Sequence, residues 1–175
     1  NDLIGYARDG NFDDLIIIGS DQDWEPEWIV RLLSYPVDVV GGAVRKKTDE
    51  RELYNVMTRT GVRSFRRHPD HDIITTPDMA LGSGFLRLSR KAFIGLWDHS
   101  EKYTLAGSMR QSAWIFDVRP VGGELVGEDT HISRKLRSLG FEVWLDPTMC
   151  CGHIGQKRFV GDFAAWLARA QAETP

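Results

Sequence analysis

The sequence predicts a single-domain α/β protein in which a mostly parallel sheet is flanked by helices. The run Leu15 to Ile18 is apolar on both faces, which is typical of a central parallel strand. An amphipathic helix and a second strand, "PVDVVGGAV", follow within roughly 30 residues, and this order forms a βαβ unit. The 175 residues, 42% hydrophobic and 27% charged, suit one globular domain over positions 1–175.

The first half of the chain contains two predicted helices and three predicted strands. Leu3, Ile4 and Ala7 have helical spacing and predict a helix over 1–9. A strand over 14–20 precedes a helix over 25–35, in which Pro26 is near the first turn and Trp28 begins the apolar stripe. Strands over 36–44 and, more briefly, 52–57 complete this half, and the rest of 45–76 is polar and irregular.

The second half continues the alternation of strands and helices. A strand over 80–89 and a helix over 90–97 lead into an aromatic, glycine-containing stretch over 96–127, to which the sequence pattern assigns neither helix nor strand. Ile132, Leu136 and Leu139 form one stripe and predict a helix over 128–140 that Gly140 closes. A last strand over 141–147 and an amphipathic helix over 158–173 complete the pattern, which is that of an α/β protein.

Composition and charge exclude several classes of protein. A net charge of −3 and a pI near 6.0 argue against a general nucleic-acid binder, so no nucleic-acid partner is expected. No apolar run approaches the ~20 residues of a membrane helix, and no signal peptide is visible. Cys150 and Cys151 are adjacent, which disfavours a disulfide between them and predicts two reduced, partly buried thiols. A cytoplasmic protein is the expectation.

Two carboxylates, Asp21 and Asp23, follow directly after the apolar strand. In open α/β sheets ligands bind outside the C-terminal ends of strands. On an extended backbone both side chains would point the same way and hold one divalent cation, Mg²⁺ or Mn²⁺, together with phosphate oxygens. The alternative is a turn in which one aspartate bonds to the backbone and the other caps the next helix.

A second acidic pair and a histidine are further candidates. Glu128 and Asp129 open a predicted helix, where the helix dipole and capping favour acidic residues; the functional alternative is a general base facing a cleft. His153 lies between two glycines, Gly152 and Gly155, and is either an ordinary polar residue or a nitrogen ligand to the metal held by Asp23.

A glycine-rich interruption and a basic run complete the candidate set. Gly82, Ser83 and Gly84 interrupt a strand and indicate either a bulge or a wall that a substrate approaches closely. The basic run is most often a solvated loop, although it could also contact phosphates. It consists of Arg45, Lys46, Lys47, Arg51, Arg63, Arg66 and Arg67.

As an ordered set, from Leu15 to Gly155, these motifs resemble the GT-A glycosyltransferases, especially the family 2-like enzymes of bacterial and phage type. The resemblance implies a Rossmann-like GT-A fold and transfer of a sugar from a UDP- or GDP-sugar to an acceptor hydroxyl with inversion. The acceptor is a glycan, lipid or protein. The implied roles are metal and diphosphate binding by Asp21 and Asp23, metal binding by His153, catalysis by Asp129 with Glu128 beside it, and a donor-side wall formed by Gly82, Ser83 and Gly84.

The resemblance has one departure, and two alternatives remain. The family has a strand–helix–strand region for the nucleotide base before the D-x-D strand, whereas here only the helix over 1–9 precedes it, so an N-terminally incomplete domain is expected. A metal-dependent phosphoesterase or nucleotidyltransferase would also use paired aspartates and a histidine. A non-catalytic remnant that binds a sugar or nucleotide would keep the sheet without turnover.

Overall fold

The computed structural model describes residues 1–104, 106, 107 and 109–173. The helices of this part are α1 (Asp2–Asp9), α2 (Glu27–Ser34), α3 (Arg90–Asp98), α4 (Glu128–Ser138) and α5 (Phe163–Glu173). The strands are β1 (Asp14–Ile18), β2 (Gln22–Asp23), β3 (Val39–Val44), β4 (Val56–Met57), β5 (Arg66–Arg67), β6 (Ile74–Thr75), β7 (Ala80–Leu81), β8 (Phe85–Ser89), β9 (Lys102–Thr104), β10 (Gln111–Ala113), β11 (Arg119–Val121), β12 (Glu124–Val126), β13 (Trp144–Ile154) and β14 (Arg158–Phe159). None of these helices combines the length and apolarity needed to cross a membrane.

The main sheet is mostly antiparallel, so the predicted parallel, Rossmann-like GT-A sheet is wrong. Its strand order is β1-β8-β3-β13-β6-β5, and β2 and β14 also pair with β13. Within the described residues, β3 with β13 is the one parallel ladder. β1, β3 and β13 run in the same direction, but β8 lies between β1 and β3 and runs opposite to both. Apolar patterning reports burial and not strand direction, so the sequence did not reveal this insertion.

Burial also differs from the expectation for the first strand. All five residues of β1 are half-buried and, within the described residues, β1 pairs only with β8, so it lies at the edge of the sheet. All six residues of β3 are buried, which makes β3 the strand at the centre. A side chain at Gly41 would place its Cβ 2.5 Å from the Phe85 carbonyl oxygen, and one at Gly42 would lie 2.9 Å from that of Met149. The two glycines therefore allow the close packing of the central strands.

Helices cover both faces of the sheet, as predicted. Alternate residues of β3 point to opposite faces because a strand has a side-chain period of two. Val39 and Ala43 join a core formed with α1, α3, α4 and α5, whereas Val40 and Val44 join a smaller core formed with α2. The fold is thus a single mixed α/β domain with two apolar layers around one sheet.

The predicted helices over 1–9, 25–35, 90–97 and 128–140 are confirmed to within two residues at each end. The last helix begins only at Phe163, because the Asp162 side chain accepts a hydrogen bond from the Ala165 amide (3.0 Å) and caps it there. The last predicted strand is longer than expected. β13 continues past Pro147 to Ile154, because an irregularity between Asp146 and Cys150 accommodates the proline and lets pairing with β3 resume.

Candidate functional site

A cavity of about 290 Å³ lies where several distant segments of the chain meet, beyond the end of β1. We call it the central cavity. Its polar lining includes Asp21, Gln22, Asn55, Ser83, Asp129 and His153. Residues from the D-x-D segment, the glycine-rich segment, the start of α4 and the end of β13 therefore meet in one place. The sequence analysis singled out all four segments.

Asp21 and His153 face each other in this cavity. The Asp21 Oδ2 atom lies 3.1 Å from His153 Nε2, and His153 Nδ1 lies 3.0 Å from the carbonyl oxygen of Arg45. A carbonyl oxygen only accepts hydrogen bonds, so Nδ1 carries a proton and donates it to Arg45. In the neutral ring, Nε2 then presents a lone pair to the lone pairs of Asp21. This arrangement requires a proton or a metal cation between the two atoms.

A lysine also neutralises Asp21. The Lys47 Nζ atom lies 2.7 Å from Asp21 Oδ2, and both side chains are substantially exposed. The hydrogen bond from Lys47 lowers the pKa of Asp21, and His153 adds to this effect. Lys47 belongs to the basic run for which phosphate contact was the functional alternative. Here it contacts the carboxylate that was predicted to bind metal and phosphate.

Asp23 does not converge with Asp21. Its carboxylate pairs with the Arg158 guanidinium. Together with Trp24 and Trp28, Asp23 lines a second cavity, of about 470 Å³, and not the central cavity. The two side chains separate because residues 19–22 form a turn, closed by a hydrogen bond from the Gln22 amide to the Gly19 carbonyl oxygen (3.2 Å). Side chains two residues apart share a face on an extended strand but not across a turn.

Among the described residues, no three His, Cys, Asp or Glu side chains lie together as a metal site.

Asp129 is held across the cavity by the glycine-rich segment. Its Oδ1 atom accepts hydrogen bonds from the Ser83 amide (2.8 Å) and the Ser83 hydroxyl (2.6 Å). Capping does not explain this position, because the first turn of α4 has no side-chain cap bond and its N-cap residue is Gly127. Its Oδ2 atom has no hydrogen-bond partner within the described residues, which leaves it available to a ligand. Glu128 also lines the cavity but is exposed.

The two glycines beside Ser83 contact the protein's own side chains. A Cβ at Gly82 would collide with the Asn55 amide group, and one at Gly84 would collide with that of Gln22. Each glycine thus makes room for an amide side chain that lines the central cavity. The Gln22 Oε1 atom is buried and has no hydrogen-bond partner among the described residues. Sequence reasoning missed both amides, because Gln22 occupies the variable position of the D-x-D motif and Asn55 belongs to no motif.

Arg158 was also missed, since only the folding of β14 against β13 brings it to Asp23. His131 is largely buried, and its Nε2 lies 3.0 Å from Asp117 Oδ1. Burial lowers the pKa of His131. Cys150 and Cys151 are free thiols, as predicted, and burial raises the pKa of Cys151 to about 12.

Comparison with known proteins adds little to this geometry. No family model matches the chain, and no curated protein matches it. Among solved structures, the crystal structure of A197 from STIV is similar, with a TM-score of 0.47 and 13% sequence identity. That likeness covers 88% of this chain and 63% of the other, so the chain spans less than two thirds of that protein. The functional argument therefore depends on the site alone.

Proposed function

We propose that the protein is a glycosyltransferase that moves a sugar from a UDP- or GDP-sugar to an acceptor hydroxyl of a glycan, lipid or protein. One observation carries the proposal: the central cavity has a fixed carboxylate, Asp129, on one wall and the Asp21–His153 pair on another. A transfer of this kind needs a base for the acceptor and an electrophilic site for the departing diphosphate. Both requirements have a candidate residue within a single cavity.

Asp129 serves as the base for the acceptor. Ser83 fixes Oδ1 through two hydrogen bonds, so Oδ2 can receive the proton of the acceptor hydroxyl. The acceptor oxygen then forms a bond to the anomeric carbon as the bond from that carbon to the diphosphate oxygen breaks. The electron pair leaves with the diphosphate, and the proton stays on Asp129. A single displacement of this kind inverts the anomeric centre.

Asp21 and His153 are the residues that would hold a divalent cation. The Nδ1–H of His153 donates to a backbone carbonyl, which is the usual arrangement of a histidine whose other nitrogen binds metal. Two protein ligands with substrate phosphates would suffice, since Mg²⁺ is commonly bound by one or two carboxylates and phosphate oxygens. Such an ion would supply positive charge to the leaving diphosphate. Lys47 would then be available for the phosphates, whereas Arg158 would stay paired with Asp23, which points away from the ion.

A second candidate is a binding module without catalysis. The supporting observation is that the protein's own cations already neutralise both aspartates, Lys47 on Asp21 and Arg158 on Asp23. A chain that had lost metal-dependent turnover would be stable in this arrangement. The two candidates differ in whether a cation displaces Lys47 and whether a sugar is transferred.

Titration calorimetry with Mn²⁺ alone, and then with UDP and with GDP in its presence and absence, tests the proposal. We expect Mn²⁺-dependent nucleotide binding by the wild type that is lost in Asp21→Ala. Asp70→Ala is the matched control, because Asp70 is exposed in the turn between β5 and β6. Nucleotide binding without glycoside formation from any UDP- or GDP-sugar would select the binding module. Absence of both metal and nucleotide binding would contradict the proposed transferase.

A further inference from the structure

A third cavity, of about 430 Å³, has no role in the chemistry described above. We call it the arginine cavity, because its lining includes three arginines, Arg59, Arg134 and Arg137. Apolar groups from Met57, Met79 and Pro77 also line it. Its lining thus combines apolar contact surface with guanidinium groups.

The three guanidinium groups are not equivalent. Arg137 donates to three carbonyl oxygens, those of Thr76 (2.6 Å), Pro77 (2.6 Å) and Met79 (2.8 Å), so each of its three nitrogens is already engaged in fixing the cavity wall. Arg134 is half-buried and has no hydrogen-bond or ion-pair partner in the part of the chain that the structure describes. A guanidinium carries five N–H donors in a fork that matches a phosphate or a carboxylate. Of the three arginines, Arg134 is therefore the one whose N–H donors can bind an anion without breaking a contact within the described protein.

The one carboxylate in the lining does not serve as that partner. Asp78 Oδ1 accepts hydrogen bonds from the hydroxyls of Thr58 (2.8 Å), Thr60 (2.8 Å) and Thr76 (2.9 Å). Asp78 Oδ2 accepts from the amides of Arg59 (2.6 Å) and Thr60 (3.2 Å). We call residues 58–60, closed by this carboxylate, the Asp78 loop. The loop fixes the backbone of Arg59, whose side chain is 74% exposed and makes only a loose surface pair with Glu124 at 3.5 Å.

The same three segments of the chain contribute to the lining of both cavities: 55–59, 77–83 and α4. Asn55 lines the central cavity, and positions 57–59 line the arginine cavity. Ser83 lines the first, and positions 77–80 line the second. On α4, Asp129 lines the first, while Thr130, Arg134 and Arg137 line the second. Thr130, Arg134 and Arg137 are separated by four and then three residues, so they lie on one face of α4. That face is roughly a third of a turn around the helix axis from Asp129. Arg134 is five residues further along α4 than Asp129, a rise of about 7.5 Å, so a ligand that extended from the central cavity along this helix would approach it.

We propose that the arginine cavity binds an oxyanion, a phosphate or a carboxylate, carried by the acceptor whose hydroxyl Asp129 deprotonates. The acceptor part of this inference rests on the proposed function. The oxyanion part rests only on Arg134 and Arg59 at the cavity and can be measured separately. The substrate class that follows is an acidic acceptor, such as a phosphorylated or uronic sugar, or a lipid with a phosphate headgroup.

Titration of the amide NMR signals of the full chain with inorganic phosphate, at constant ionic strength, tests the oxyanion part. We expect shifts along α4 and the Asp78 loop, and an affinity that falls roughly tenfold in Arg134→Gln, because a charge-assisted bidentate contact is lost. Arg134 holds no other group of the described protein, so the variant should fold. Arg67→Gln is the control, since Arg67 is 75% exposed on edge strand β5 and should leave the affinity unchanged.

Two results would overturn the oxyanion part. One is a phosphate affinity that Arg134→Gln does not change. The other is complete displacement of phosphate by UDP with Mn²⁺, which would place the anion in the donor site. Failure of the donor titration alone leaves this test intact, so the proposed function and this inference can fail separately.

Three further probes test the acceptor part and identify the carrier. Glucose 6-phosphate represents a soluble acceptor, and vesicles containing phosphatidic acid represent a lipid acceptor. Binding of either one at least as tightly as inorganic phosphate, with the same loss of affinity in Arg134→Gln, supports an acidic acceptor. It also shows whether a sugar or a lipid carries the anionic group. Failure of both, together with galacturonate as a carboxylate, would contradict the acceptor role.

Discussion

Asp21 and Asp78 are both carboxylates with a lowered pKa, but the protein stabilises them in opposite ways. Asp21 lies in an exposed turn, where the exposed side chain of Lys47 neutralises it and His153 lies beside it. Asp78 is surrounded by hydroxyl and amide donors that belong to its own loop and to Thr76. An exposed side-chain cation can be displaced by a ligand, whereas backbone and hydroxyl donors built into a loop cannot. The first arrangement suits a binding site, and the second suits a structural clamp.

Asp129 is intermediate between these two. Like Asp78, it accepts hydrogen bonds from an amide and a hydroxyl, both from Ser83. Like Asp21, it keeps one oxygen exposed to a cavity. Its position is fixed, but its charge is not satisfied by a cation, as a general base requires. The way in which a carboxylate is held thus separates its structural use from its chemical use.

The largest expected effect is that of Asp129→Asn on transfer. The amide oxygen of the variant can still accept both bonds from Ser83, but the side chain can no longer take a proton, so we expect a loss of about 10²- to 10⁴-fold in kcat. Nucleotide affinity should be retained, as measured by calorimetry. Glu128→Gln is the comparison, and an equal loss there would assign the effect to the negative charge at the start of α4. An active Asp129→Asn enzyme would disprove the base assignment.

The next largest expected effect is a loss of stability in Asp78→Ala, which tests the structural role of the Asp78 carboxylate. Asp78→Ala removes the acceptor of five hydrogen bonds and leaves the Asp78 loop open, so we expect a loss of about 2–4 kcal/mol in the free energy of unfolding. Urea denaturation followed by circular dichroism measures it. Asp70→Ala, in an exposed turn, should change stability by less than about 0.5 kcal/mol. Equal stability of the two variants would show that the loop does not need the carboxylate.

The pH dependence of stability separates the same residues in another way. Burial alone would raise the pKa of Asp78, but the hydrogen bonds from Thr58, the Arg59 amide, Thr60 and Thr76 outweigh it and lower that pKa well below 3.8. Folding then favours the ionised form. The resulting stability is fully present above the unfolded pKa of 3.8 and is lost as pH falls toward the folded value.

We therefore expect denaturation experiments between pH 4.5 and about pH 2 to show a smaller loss of stability in Asp78→Asn than in the wild type. Asp21→Asn should follow the wild type closely, because the ion pair of Asp21 with Lys47 is exposed to solvent and contributes little to stability. A steeper acid dependence in Asp78→Asn would contradict the assignment of Asp78 as the clamp.

The smallest effect is that of Lys47→Ala on stability. The pair with Asp21 is exposed, and such pairs are typically worth less than about 1 kcal/mol. Affinity for Mn²⁺ should instead rise, because the competing cation has gone from Asp21. Thermal unfolding and a Mn²⁺ titration together check this. A large loss of stability with unchanged metal affinity would show that Lys47 is structural and that the two aspartates do not differ in kind.

The elements of this fold could be predicted better than their arrangement. The apolar stripes of α2 and α4 and the buried strand β3 were visible because periodicity reports burial. The direction of β8 was not visible, since Phe85 to Ser89 would look the same in a parallel strand. For the site, the candidate segments around Asp21, Ser83, Asp129 and His153 do meet. The divergence of Asp23 was missed because a local turn, and not the residue types, decides where its side chain points.

The order of strands in the main sheet also determines how the chain must fold. Asp14 lies opposite Ser89, and Val40 lies opposite Trp144, so the ladders that join β1, β8, β3 and β13 connect distant parts of the chain. Such non-local pairing must overcome the entropy of closing long loops before it gains contacts, which makes folding slow. The central cavity draws its walls from the same distant segments. We therefore expect the cavity to be complete only after these strands have paired.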